Sequence, residues 1–196
     1  MTTRERVVVA ISGASGAAIG ARIVERLAQL GGCEIHLVVS AAAARTLATE
    51  VGPDALPRLR KLAAYHHAHD DIGACIASGS FQVSGMIVAP CSIRTLSAIA
   101  WGQLDNLLVR AADVQLKERR RLILMVRETP LHLGHLRAMV QAAEIGAIIF
   151  PPAPAFYLNP GTVAQLVENI ADRAINLMAL KHVTVPLREW RGEGRG

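Results

Sequence analysis

Aromatic residues are scarce in this chain, 4% of 196 positions, with two Trp, two Tyr and three Phe. A surface that stacks nucleic-acid bases on rings is therefore excluded, although the pI is about 9.6. Cysteine is equally scarce. Cys33, Cys75 and Cys91 form an odd, scattered trio without a CxxC pair, which argues for reduced thiols and against a disulfide framework or a zinc ribbon. No apolar run approaches the ~20 residues of a membrane span. An apolar strand starts within a few residues of Met1 and leaves no room for a signal peptide, so a cytoplasmic protein that engages neither membrane nor nucleic acid is expected. GxGxxG and GxxxxGK[ST] are both missing, and with them the dinucleotide and ATP fingerprints. Clustered aspartates that recruit Mg²⁺ are missing too: Asp70-Asp71 runs into Ile72-Gly73 with no further carboxylate.

What is present is aliphatic. Hydrophobic residues make up 52%, dominated by Ala, Leu, Val and Ile, the palette of a packed α/β protein with buried parallel strands. The mean hydropathy of +0.32 is high for a soluble monomer, and the excess is read as subunit interface in a homo-oligomer. Runs at 7–11, 35–39, 85–89, 122–126 and 147–150 read as strands. Helical spacing covers 17–30, 41–50, 93–100, 106–118, 133–144 and 162–180, with a shorter helix over 59–64. The 66–71 stretch reads as a loop, and its His66, His67 and His69 face no second set of metal ligands. This alternation implies a single α/β domain of three layers, a Rossmann- or flavodoxin-like doubly wound parallel sheet. It spans 1–187, with 188–196 as a loosely ordered tail.

Ligands of such sheets bind outside the carboxyl ends of the strands. There the chain places Ser12-Gly13-Ala14-Ser15, Ser40, Cys91-Ser92-Ile93-Arg94-Thr95, Arg127-Glu128 and, beyond the last strand, Phe156-Tyr157. Hydroxyls, guanidinium groups and a carboxylate on one edge predict a ligand site. The Gly-rich turn at 13–16 opens a helix and can present N–H groups to a phosphate. Ser40 stands where a dinucleotide enzyme needs an acid for the ribose, so a mononucleotide such as FMN fits better. Ser92 and Thr95 open a second anion-friendly helix. Between Arg110 and Arg127 lie six Lys/Arg and two Asp/Glu, a surplus of four within a chain whose whole surplus is five. Arg110 and Lys117, seven apart, share a helix face. Cations converging on one rim beside Glu128 suit a phosphorylated substrate, whereas Arg119, Arg120 and Arg121 read as a solvated corner.

Seven segments carry a resemblance. Ile11-Ser-Gly-Ala-Ser-Gly16, Ala77-Ser-Gly-Ser-Phe81, Ala89-Pro-Cys-Ser-Ile-Arg-Thr95, Arg110-Ala-Ala-Asp-Val114, Leu116-Lys-Glu-Arg-Arg120, Arg127-Glu-Thr-Pro-Leu131 and Pro151-Pro-Ala-Pro-Ala-Phe-Tyr157 resemble, in that order, the UbiX/Pad1-type flavin prenyltransferases. The resemblance implies metal-independent transfer of a dimethylallyl group from dimethylallyl monophosphate to N5 and C6 of reduced FMN. The product would be prenylated FMN, the cofactor of UbiD-type decarboxylases. It also implies a dodecamer whose sites lie where subunits meet. By matching motif, Gly13, Ala14, Ser15, Ser40, Ser92, Ile93, Arg94, Thr95 and Arg127 would hold FMN. Lys117, Arg127, Glu128, Tyr157 and Arg173, with Arg110 nearby, would hold the allyl phosphate. Ser15, Glu50 and Glu128 would handle protons.

Each of these residues has a plainer reading. Glu50 alone is a solvated acid at a helix end, Arg173 a solvated mid-helix cation, Tyr157 a packing residue and Ser15 an N-cap. Cys91 reads as a small buried filler. Arg94 departs from a frequent Lys of the family, Ile19 from a frequent aromatic, and Trp101 from smaller or polar residues; the last two bear on donor length if they line the pocket. Two rival functions share the architecture. A flavin-dependent cysteine-type decarboxylase would carry an early catalytic His, which the first strand-to-helix region lacks. A non-catalytic FMN-binding subunit of a decarboxylase would have no use for Lys117, Glu128, Tyr157 and Arg173 together.

Overall fold

Runs of Val, Ile and Leu too apolar to face water on either side become the central strands. In β1 (Glu5–Ile11) every residue from Val7 to Ile11 is fully buried. Val7, Val9 and Ile11 join one apolar layer, and Val8 and Ala10 the other, as the two-residue period of a strand requires. The computed structural model describes residues 4–186, so the tail expected at 188–196 lies outside the described residues. The remaining strands are β2 (Cys33–Val39), β3 (Tyr65–His67), β4 (Gly85–Cys91), β5 (Arg121–Val126) and β6 (Ile148–Ile149). All pair in parallel, in the order β3-β2-β1-β4-β5-β6. Helices α1 (Ala17–Leu30), α2 (Ala41–Glu50), α3 (Ala55–Leu62) and α7 (Val163–Leu177) cover one face. The other face carries α4 (Ile93–Ala100), α5 (Leu107–Lys117) and α6 (Leu133–Glu144). The three-layer doubly wound sheet is as expected.

Three local readings need correction. The 66–71 loop begins as β3, an edge strand pairing His36 with Tyr65 and Val38 with His67; its polar composition hides it, because an edge strand need not bury alternate side chains. Helix α3 starts at Ala55, and Pro57 is tolerated because it sits in the first turn. The corner at 119–121 is not merely solvated. Arg120 is half-buried and donates to the carbonyls of Phe81 (2.9 Å) and Gly79 (2.7 Å), and Arg121 donates to that of Leu177.

The strand order reverses between β1 and β4, and the chain closes tightly around that point. A Cβ on Gly20 of α1 would lie 2.1 Å from the carbonyl oxygen of Ala89 in β4. A Cβ on Gly13 would lie 2.3 Å from that of Ala42. Only glycine permits either approach. No helix among the described residues is long and apolar enough to cross a membrane.

Candidate active site at the carboxyl edge of the sheet

Ser12 follows the last residue of β1 and is 1% exposed. Its hydroxyl donates to the carbonyl of Pro90 (2.8 Å) and accepts the N–H of Ser92 (2.8 Å), while its own N–H donates to the same Pro90 carbonyl. One side chain thus ties the ends of β1 and β4 together at the reversal of strand order. The sequence reading places Ser12 at this strand end but gives it no role of its own. The available signal was a lone hydroxyl directly after a fully apolar strand, where burial demands a partner.

Ser92 caps α4, its Oγ accepting the N–H of Thr95 (3.3 Å) and lying 3.1 Å from Thr95 Oγ1. The N–H groups of Ile93 and Arg94 in the first turn are left without intrahelical acceptors, as at any helix start. Here that start directly adjoins the end of β4. Ser40 does the same for α2: its side chain accepts from Ala43 N–H (3.1 Å) and its N–H donates to Ile11 O (3.1 Å).

The first turn differs from expectation. Both carboxylate oxygens of Glu50 lie 3.0 Å from the N–H of Gly16, and one reaches that of Ala18 at 3.4 Å. The N-terminus of α1 therefore already holds an anion, supplied by the last residue of α2, and a ligand phosphate there would meet like charge. Glu50 thus occupies the helix start whose N–H groups the sequence reading offered to a phosphate. The contact also replaces the picture of Glu50 as a free surface acid, since the carboxylate is fixed beside exposed Ser15. Gly13 and Ala14 complete the turn, with Ala14 N–H donating to Ser12 O (2.9 Å).

The cations do not share one rim within a single chain. Arg127 leaves the end of β5, its N–H donating to Cys91 O (3.1 Å) and its side chain exposed; Glu128 follows and accepts the N–H of Thr129 (3.0 Å). Arg110 lies in the first turn of α5 and pairs with Asp113 (2.9 Å). Lys117 lies at the other end of that helix, about 10 Å along its axis, paired with Glu118 and beside Gly79 in the segment leading into β4. Helix α5 runs opposite to the strands, so Lys117 stands at the amino edge of the sheet. Spacing put Arg110 and Lys117 on one face correctly; it did not put them at one edge. Arg94 is paired with exposed Asp105 (2.7 Å).

Tyr157 and Arg173 are brought together. The loop after β6 and one face of α7 enclose a pocket of about 630 Å³ whose wall includes Phe150, Tyr157, Asn159, Asn169 and Arg173. Neighbouring Asp172 is held by Arg26 at 2.9 Å. Ile19 is 8% exposed and packs in the core, whereas Trp101 is 63% exposed at the end of α4. Cys91 is fully buried, and burial pushes its thiol pKa up, as suits a filler. Burial raises Cys33 to about 11.

Residues 1–168 match the family model described as Flavoprotein. The chain is 49% identical over 188 residues to the flavin prenyltransferase UbiX of Escherichia coli K12, covering 96% of this chain and 99% of that protein. AnUbiX (PadA1), crystallised with FMN and dimethylallyl pyrophosphate, superposes with a TM-score of 0.88 at 43% identity, over 96% of this chain and all of the other. The dodecameric FMN-dependent UbiX-like decarboxylase of Escherichia coli O157:H7 gives 0.90 at 39%, over 95% and 100%. A doubly wound sheet, a serine-tied crevice at its reversal point and near-complete coverage at this identity agree: the chain belongs to the UbiX-type flavin prenyltransferases.

Proposed function

We propose that this chain transfers a dimethylallyl group from dimethylallyl monophosphate to N5 and C6 of reduced FMN, making prenylated FMN for a UbiD-type decarboxylase. What supports this reading is two separate groups of donors suited to an anion. One is the open start of α4 at Ser92–Thr95; the other is the pocket that Tyr157 and Arg173 share. A flavin mononucleotide and a second phosphate ester require two, whereas a flavin carrier requires only the first.

The crevice suits a mononucleotide. Ser92, Ile93, Arg94 and Thr95 offer hydroxyls and unpaired N–H groups to its phosphate, and Ser40 offers a hydroxyl where a carboxylate would select a dinucleotide. Gly13, Ala14, Ser15 and Arg127 line the turn and strand end alongside. Reduced FMN held there supplies the nucleophilic N5 and C6. Ser15 and Glu50, fixed as neighbours by the cap on Gly16, are placed to hold and move the protons displaced at those atoms.

Departure of phosphate from an allylic carbon leaves negative charge on oxygen, and Lys117, Arg127, Tyr157 and Arg173, with Arg110 near them, stabilise it without a metal. Loss of one such donor costs ~100–1,000-fold in rate. Glu128 accepts or relays a proton at the departing phosphate. Because Lys117 lies at the amino edge of its own chain, its contribution comes from a neighbouring protomer, and the assembly is a homo-oligomer. We propose a dodecamer, the state of the Escherichia coli O157:H7 relative, located in the cytoplasm. The experiment is Glu128→Gln: FMN binding is retained and prenyl transfer slows, while wild-type turnover would remove Glu128 from the reaction.

A further inference from the structure

We propose that His36, His67 and Cys75, none of them assigned to prenyl transfer, form a site for a zinc-class divalent cation at the outer edge of the sheet. His36 Nδ1 lies 2.9 Å from His67 Nε2, and the ligand atoms of all three residues lie within 4.8 Å of one another. Zn–N and Zn–S bonds of about 2.0–2.3 Å in tetrahedral array need separations of about 3.3 Å between nitrogens and about 3.6 Å between nitrogen and sulfur. The two imidazoles would part by a few tenths of an ångström, and the Cys75 thiol would move in by about 1 Å from its exposed turn.

The sequence gives no hint of this cluster. His36 sits on β2, His67 on β3, and Cys75 begins the 3₁₀ turn Cys75–Ala77, so the set exists only because β3 pairs with β2. Two features distinguish it from a chance meeting of polar side chains. First, His36 is 1% exposed, and its Nε2 lies 3.0 Å from Glu34 Oε1. The Glu34 carboxylate accepts a hydrogen bond from Nε2–H and leaves the Nδ1 lone pair aimed at His67 and Cys75, the outer-shell device by which ligating histidines are oriented. Arg6 in turn holds Glu34 (3.2 Å). Second, rings immobilise the ligands: His36 stacks on Tyr65 and His67, and Phe81 meets it edge-on.

Two nitrogens and one thiolate select a borderline-soft ion over Mg²⁺ or Ca²⁺. The bound ion would clasp the 68–77 segment to the sheet edge. That segment already supports the start of α5, where Leu107 N–H donates to His69 O (2.9 Å).

The purified protein, stripped with chelator, is titrated with Zn²⁺ by calorimetry, and with Co²⁺ as a spectroscopic probe. Binding of one equivalent per chain is expected, with a sulfur-to-cobalt charge-transfer band that Cys75→Ser abolishes. The H67A/C75S double variant loses the equivalent, and Glu34→Gln, which touches no metal, weakens affinity ~10–100-fold. Prenyl transfer by C75S is unchanged, since Cys75 has no part in that site. Failure to bind, or an equivalent that survives in H67A/C75S, overturns the proposal; wild-type affinity in E34Q overturns the orienting role of Glu34.

Discussion

Replacing Ser12 by Ala tests whether the crevice is held open by one buried hydroxyl. The hydroxyl makes two hydrogen bonds of 2.8 Å with atoms at the end of β4. Pro90 O would keep a partner, because Ser12 N–H still donates to it at 3.2 Å. Ser92 N–H would lose its acceptor. Ser92 is half-buried, so its orphaned donor costs about 1 kcal/mol, the low end of the range for a buried one, and for a chain of this length that lowers Tm by ~2–4 °C. The damage is local as well as global, because Ser92 is also the cap of α4. Flavin affinity should therefore fall in S12A together with Tm. Differential scanning calorimetry and a flavin fluorescence titration read the two effects separately. An S12A protein with wild-type Tm and wild-type flavin affinity would refute the reasoning.

Glu50→Gln keeps an oxygen facing Gly16 N–H but removes the titrating group. Prenyl transfer should slow by ~10²–10⁴-fold, the usual contribution of a positioned acid or base, with little change in Tm; an unaltered rate would leave Glu50 as a cap only. Stability should also fall in mild acid. Burial holds His36, His66, His67 and His69 below their ordinary pKa, against the pull of Glu34 on His36 and of Asp71 on His67. The unfolded chain therefore binds more protons once pH drops below about 6.5. Their contribution is complete above that value and is lost as pH falls towards the folded-state values. The urea midpoint of wild type should drop between about pH 7.5 and about pH 5.5, and that of His36→Gln should drop less; equal pH dependence would contradict the assignment.

The fold was legible where burial is uniform. Val7 to Ile11 admits no reading but a covered strand, and Ser92 before a helical run announces its own cap. Legibility ended where partners come from distant sequence. Nothing near Glu50 says that it folds back onto Gly16, and nothing near His67 says that His36 lies beside it. Tyr65–His67 escaped because an edge strand carries no apolar alternation. Lys117 is a different kind of miss. Its helical face was readable from the seven-residue spacing, but its edge followed from helix direction, since a helix between parallel strands must end where the next strand begins. The placement of Tyr157 and Arg173 on one pocket wall required the loop after β6, whose proline-rich sequence gives no period to follow.

The most direct test is the mass of the flavin itself. Reduced FMN and dimethylallyl monophosphate, incubated anaerobically with the purified protein and excess chelator, should yield a flavin heavier by one dimethylallyl unit. A flavin recovered with its mass unchanged, from protein that binds it, would contradict the account.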